Sequence, residues 1–310
     1  MDLSAISPIT LIVSLMAAST PILLAALGEL VVEKSGVLNL GVEGMMIIGA
    51  VCGFIAAVTT GSPWLGFVFG ALCGAALSMI FAILTQYLMA NQVASGLGLT
   101  MFGLGFAALL GHKYSGIKPP KFESLDLPVL TDLPVIGPLL FSHDPMVYIS
   151  VAMVFAVWYF LNRTRAGLVL RACGENHDAA HALGYKVIRI RLAAIAFGGA
   201  MAGMGGAYLS LVRVPQWTEG MTAGAGWIAL ALVVFASWKP GRALIGAYLF
   251  GGVTVLQLNL QAAGLSISPA YLSMTPYLVT IIVLVVMSAD KARASLNAPA
   301  SLGKLFHATT

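Results

Sequence analysis

Residues 40–60, LGVEGMMIIGAVCGFIAAVTT, carry one charged side chain, Glu43, in a run long enough to cross a lipid bilayer as a helix. A hydrocarbon core about 30 Å thick needs roughly 20 apolar residues at about 1.5 Å of rise each. Further runs of this kind lie at 8–27, 63–90, 94–111, 146–162, 192–212, 223–238, 243–263 and 272–288. The expected fold is all-α: a single polytopic transmembrane helical bundle over residues 1–310, with about nine spans (8–10).

Composition agrees. Of 310 residues, 59% are hydrophobic and 9% charged. A soluble domain has about 25% charged residues, so this chain cannot coat a globule of its size with polar side chains. Glycine, at 34 residues, is abundant where membrane helices approach backbone to backbone. Gly66, Gly70 and Gly74 recur on one helix face, and Gly198, Gly199, Gly203, Gly205 and Gly206 crowd another span, both read as packing seams. Cys52, Cys73 and Cys173 show no paired spacing, so no disulfide framework or zinc site is indicated. His112, His143, His177, His181 and His307 fall in loops or tail. His177 and His181 are four apart, but no matching acid and third ligand complete a metal site. Asp2 stands where a signal peptide would be basic, so the first span is expected to be retained.

The polar interruptions differ in sign. Residues 112–145 set Lys113, Lys118 and Lys121 against Glu123, Asp126, Asp132 and Asp144, a net of −1. Residues 163–191 set Arg163, Arg165, Arg171, Lys186, Arg189 and Arg191 against Glu175 and Asp178 alone, a net of +4 that equals the charge of the whole chain. Such basicity, placed between apolar runs, speaks for topology and against nucleic acid as a partner. By the positive-inside rule 163–191 is cytoplasmic, as are Lys239 and Arg242 and the tail 289–310 with Lys291, Arg293 and Lys304. Alternation places 112–145 outside as an extracytoplasmic loop. The N-terminal orientation stays open, because one broken span near residues 28–45 reverses it.

The region 28–46 is where the apolar pattern fails, for it holds Glu29, Glu33, Lys34, Asn39 and Glu43. A charge at the bilayer centre costs roughly 2.5 kcal/mol or more. Glu29 and Glu33, and likewise Asn39 and Glu43, are four apart and share helix faces, while Gly36, Gly41 and Gly44 favour a break. A broken helix lining a cavity is one reading. A short cytoplasmic turn is the other, with Asn39 capping the next helix, Glu43 in its first turn, and Glu29 or Glu33 paired with Lys34. Asn91, Gln92, Ser95 and Thr100 open the fourth run, and Gln257 and Gln261 share a face of the eighth, with Asn259 nearby. Neutral groups of this kind suit a hydroxyl-rich solute or, equally, interhelical hydrogen bonds.

Within the basic segment, Glu175 to Gly184 reads as a short helix capped by Asn176 and stopped at Gly184. Flanked by cations, it is suited to lying on anionic headgroups or to docking a partner.

Glu33-Lys34-Ser35-Gly36-Val37-Leu38-Asn39-Leu40-Gly41-Val42-Glu43-Gly44-Met45-Met46 resembles the hallmark stretch of ABC-importer permeases for simple sugars and nucleosides, relatives of the branched-chain amino acid permeases. It is joined, in family order, by Asn91 to Leu97, Leu170 to Asn176, Gly226 to Ala231 and Pro276-Tyr277-Leu278. Asp178-Ala179-Ala180, three residues and Gly184 resemble the loop by which such permeases dock on their ATPase. Departures are His177 in place of a common Pro, Ala225 in place of a basic residue, and the absence of a closing Leu-Pro.

The resemblance implies a multi-pass bacterial inner (plasma) membrane protein that is no enzyme and carries no cofactor. It implies three partners: a second permease (paralogue or copy), a cytoplasmic ABC ATPase that binds the ATP, and an extracytoplasmic substrate-binding protein. It assigns Glu33, Asn39, Glu43, Asn91, Gln92 and Gln257 to the translocation pathway or gate. Glu175, Asn176, Asp178, Ala179, Ala180 and Gly184 are assigned to ATPase coupling. The version of the hallmark points to a nucleoside or purine first and a simple sugar second. Independently, no Gly-x-x-x-x-Gly-Lys-Ser/Thr phosphate loop occurs, so ATP chemistry falls to a partner. The alternative is an ion-coupled secondary transporter, in which Glu29, Glu33 and Glu43 bind protons or cations.

Overall fold

A computed structural model describes residues 8–125, 137, 141–262 and 297–307, with single positions between 271 and 285. Among these residues the fold is all-helical: α1 (Pro8–Lys34), α2 (Val42–Thr60), α3 (Pro63–Ala82), α4 (Gln92–Gly111), α5 (Pro145–Arg163), α6 (Arg165–Glu175), α7 (His177–Ala182), α8 (Val187–Tyr208), α9 (Ala225–Phe235) and α10 (Pro240–Ala262). π-turns at Ile83–Tyr87 and Leu209–Arg213 extend α3 and α8.

Seven of these helices are long and apolar enough to cross a membrane, which makes the chain a multi-pass membrane protein. The run 223–238 differs from its expectation. Only Ala225–Phe235 is helical, 11 residues, or about 16 Å at the α-helical rise, half of what a bilayer requires. Most of the run 272–288, residues 276 and 277 included, and Asp126, Asp132, Lys291 and Arg293 lie outside the described residues.

The glycine seams account for the packing. α8 packs against α1, α2 and α3; Gly70 and Gly74 face Gly199 and Gly203, while Gly198, Gly205 and Gly206 meet α1 and α2. A Cβ on Gly74 would stand 2.8 Å from the Cα of Gly203, and one on Gly70 would stand 3.0 Å from the carbonyl oxygen of Gly49. A Cβ on Gly206 would overlap the carbonyl oxygen of Met46. In lipid, no hydrophobic force drives apolar helices together, so this backbone-to-backbone approach supplies the dispersion energy. α2 is the central helix, with 78% of its spanning window buried against 28% for α4.

α1 runs about two turns beyond its expected end at residue 27 and carries Glu29 and Glu33 inside the protein. The charge count stopped the span too early, because both carboxylates receive hydrogen bonds inside the protein, Glu29 from the Asn39 amide and Glu33 from the distant Trp238 indole. The break foreseen within 28–46 narrows to residues 35–41.

At the end of the bundle that holds residues 163–191, the single short helix expected there becomes two. α6 had not been anticipated. It buries Gly167, Leu170, Cys173 and Gly174 and exposes Arg165 and Leu168, a periodicity visible beneath the arginines. At the opposite end, Asp144 caps α5 through the amides of Met146 (3.0 Å) and Val147 (3.3 Å) and accepts the Tyr208 hydroxyl at 2.7 Å.

Candidate translocation gate and coupling helix

The link 35–41 is not a solvated turn. Ser35, Gly36, Val37, Asn39 and Gly41 are buried, so their backbone polar groups need partners inside the protein. The Asn39 amide donates to Glu29 Oε1 at 3.2 Å, the Leu38 amide to Gln92 Oε1 at 2.8 Å, and the Gly41 amide to Asn39 Oδ1 at 3.0 Å. The Leu40 carbonyl accepts from Thr100 Oγ1 at 3.2 Å, and the Ser35 carbonyl from Arg191 Nε at 3.2 Å. Gly36, at φ +89°, makes the turn. Gly41, not Asn39, holds the N-cap position of α2. Asn39 instead folds its side chain back onto the link and donates to Met45 Sδ at 3.4 Å. Glu29 Oε2 and Gln92 Nε2 are buried without a partner among the described residues.

Glu33 and Glu43 hold opposite ends of the half-length helix α9. Glu43 Oε1 accepts from Thr222 Oγ1 at 2.6 Å and from the Gly224 amide at 2.9 Å, while its Oε2 accepts from the Gly226 amide at 2.7 Å. A buried carboxylate thus meets the orphan amides and positive dipole end of a helix, where a negative charge is favoured. At the far end, Glu33 Oε2 accepts from Trp238 Nε1 at 2.6 Å. Trp238 and Ser237 have φ of +55° and +49°, and Ala223 has +44°. Residues other than glycine resist this region, at about 1–3 kcal/mol each. The strained turns therefore flank α9 on both sides, and each lies beside one of the two carboxylates.

The predicted gate residues divide accordingly. Asn39 and Gln92 bond the link itself, while Glu33 and Glu43 flank it in sequence and bond the two ends of α9. Asn91 caps α4 through the Ala94 amide at 3.0 Å, with its side chain exposed. Gln257 stands apart, half-buried on α10. The expected pairing of Glu29 or Glu33 with Lys34 is absent. Lys34 Nζ donates to the Asn297 carbonyl at 2.8 Å and sits 5.9 Å from the Trp238 ring centre. Sequence reasoning assigned no role to Trp238 or Thr222, because their partners are remote in the chain.

The residues expected to couple to an ATPase form a compact unit. Asn176 Oδ1 accepts from the Ala179 amide at 3.0 Å and caps α7. Gly184, at φ +87°, follows its end. Glu175, Asn176, Asp178 and Ala179 are exposed, while His177 and Ala180 are buried. Burial and the neighbouring Arg191 guanidinium hold the His177 imidazole below its ordinary pKa, which leaves Nδ1 free to accept from Arg191 Nη2 at 3.3 Å.

Arg191, counted from sequence among the cytoplasmic surface cations, is fully buried. It joins α7 to the link through Ser35, to Gln86 Oε1 at 3.4 Å and to the Lys304 carbonyl at 3.3 Å. The segment 297–307 closes over the same junction. The Ser301 amide donates to the Gly174 carbonyl at 2.9 Å and the Gly303 amide to the Gly36 carbonyl at 3.2 Å. Phe306 meets the His177 and His181 rings edge-on, at 5.4 and 5.3 Å.

The sequence pattern of the family described as branched-chain amino acid transport system / permease component matches residues 11–287. The putative glucose ABC transporter permease protein TsgC13 of Haloferax volcanii is 44% identical over 256 residues, 81% of this chain and 78% of that protein. The nucleoside ABC transporter permease protein NupC of Lactococcus lactis is 33% identical over 287 residues, 88% of this chain and 90% of its own. The guanosine ABC transporter permease protein NupQ of Bacillus subtilis is 33% identical over 296 residues, 91% of each. No solved structure matches the chain. With seven membrane-length helices and a matched pattern over most of its length, the chain belongs to the branched-chain amino acid transport system permease-component family, the membrane-embedded subunits of ABC importers.

Proposed function

We propose that this chain forms half of the translocation path of an ATP-driven importer for a neutral, hydroxyl-rich solute, a nucleoside or purine first and a simple sugar second. It works with a second permease, an ATPase docked on α7, and a substrate-binding protein on the opposite face. The end with residues 163–191 and 297–307 is cytoplasmic in this reading, and 112–145 is extracytoplasmic. Two permease relatives carry names that refer to nucleosides or guanosine, and a third carries glucose.

The observation that carries the reading is the path from α7 to the link. α7 presents Asp178 to solvent at 78% side-chain exposure, while its buried His177 is bonded to Arg191, which holds the backbone of the link. A push on α7 by a partner therefore reaches Glu29, Asn39 and Gln92 through one guanidinium. Glu33 and Glu43 clamp α9 beside this link, so Glu33, Asn39, Glu43 and Gln92 act as the frame of the gate. Asn91, exposed, and Gln257, half-buried, are the members left for polar contact with solute.

Uptake of labelled nucleosides and sugars, in cells with and without the chain, tests the assignment together with Asp178→Lys. Loss of nucleoside uptake is expected in both strains, with the variant permease still present in the membrane. Unchanged ATP-dependent uptake in Asp178→Lys refutes α7 as the docking element. Uptake by the chain alone in liposomes, driven by an ion gradient, refutes the importer reading.

A further inference from the structure

Four cations from three separate segments converge on one cleft at the basic end of the bundle. Lys34 closes α1, Arg171 lies on α6, and Lys239 and Arg242 flank the start of α10. All four line a cavity of about 510 Å³ together with Trp158, Trp238, Asn162 and Asn297. Glu175 and Glu33 act on Lys34 through space, but among the described residues none of the four cations forms an ion pair with a carboxylate. Among the described residues the Arg171 Nε is buried without an acceptor, and Arg242 reaches the Ser237 hydroxyl at 3.5 Å. The positive-inside rule accounts for cations at this end of the molecule. It does not account for their gathering in a single concavity, where like charges repel unless an anion is shared between them.

The chemistry of the walls narrows the anion. Guanidinium and ammonium groups with amide donors match a phosphate, and Arg favours its planar, bidentate recognition. Trp158 is 45% exposed on α5 beside the cleft, a residue type that favours the headgroup level of a bilayer. Phe155, Tyr159 and Leu249 expose apolar surface on the two helices that border the opening, as an acyl chain requires. Basic pockets between membrane helices on this side bind anionic lipid headgroups.

We propose that this cleft is a binding site for the phosphate headgroup of an anionic phospholipid. A free phosphate is the other source of the same chemistry. The lipid sits against Trp238, whose indole is bonded to Glu33, so an occupied site adjoins the far end of α9.

The test uses the full chain in nanodiscs of phosphatidylcholine with or without cardiolipin, with lipids retained after extraction counted by native mass spectrometry. Wild type is expected to retain cardiolipin over phosphatidylcholine. At the contribution typical of each basic group near an anionic surface, Arg171→Gln with Arg242→Gln lowers that retention by on the order of 30-fold. Arg165→Gln with Arg189→Gln, which removes the same charge from elsewhere on the same end, leaves it within about twofold by the same reasoning. Equal losses in the two pairs, or equal retention of both lipids by wild type, overturn the proposal. Displacement of cardiolipin by millimolar inorganic phosphate assigns the cleft to free phosphate and overturns the lipid. Should the double variant not fold, the exposed Lys239→Gln and the salt dependence of wild-type retention carry the test. Retention unmoved by both rules the site out, and these outcomes leave the importer reading untouched.

Discussion

Glu43 offers the sharpest energetic prediction. Its carboxylate is 4% exposed and accepts from Thr222, Gly224 and Gly226. Glu43→Gln keeps an oxygen at the Oε1 position, where two of these donors converge, and sets an amide NH₂ against the Gly226 N–H. One charge-assisted bond and the charge–dipole attraction are lost together, about 2–4 kcal/mol in all. Glu43→Ala leaves three buried donors unsatisfied at about 1–3 kcal/mol each, and incomplete additivity brings the sum to about 4–6 kcal/mol. Hydrogen exchange of the 222–238 segment, measured on the permease in nanodiscs, reads this directly. A loss of 2 kcal/mol corresponds to roughly 30-fold faster exchange if local opening is the route. The alanine variant should exchange faster than the glutamine variant, and glutamine faster than wild type. Wild-type exchange in Glu43→Gln refutes the clamp, and so does an alanine variant no worse than glutamine.

Gly206→Val drives a side chain into the Met46 carbonyl and is expected to abolish a monodisperse permease on size-exclusion chromatography. Gly98→Ala, which faces open space on α4, should shift unfolding by less than about 1 kcal/mol. His177 predicts a pH effect. Its pKa is held below the ordinary 6.5, so the unfolded chain binds more protons near that value and stability rises with pH. Docking of 297–307 should be full above about pH 6.5 and weaken as pH falls below it, read as faster proteolysis of the tail. His177→Ala should flatten the profile, and a tail that tightens in acid contradicts the Arg191–Nδ1 bond.

The membrane class was legible in the sequence because lipid imposes a one-dimensional rule. Enough consecutive apolar residues must form a helix, and 40–60 satisfies that wherever it packs. The glycine seams were legible for a related reason, since a four-residue period marks a face whatever its partner. The Asn176 cap and the stop at Gly184 are local chemistry and fell where expected. The half-length of α9 was not legible. Residues 223–238 are apolar throughout, and what ends the helix is a pair of strained turns held by Glu43 and Glu33, 183 and 205 residues away in the chain.

The same distinction governs the charged groups. Sequence determined that Glu29, Glu33 and Glu43 were costly to bury, and from this came the expectation of a cavity or a turn, while Arg191 was counted among the cations of the cytoplasmic loop. Only the tertiary structure decided that all four are buried, that Glu33, Glu43 and Arg191 are matched to polar groups from remote segments, and that Glu29 accepts from the nearby Asn39 amide through one oxygen alone. A charge is excluded from a low-dielectric interior only while it lacks hydrogen-bonding partners. Those partners, the Gly224 and Gly226 amides, the Trp238 indole and the Ser35 carbonyl, exist at one place in space only after the helices have packed.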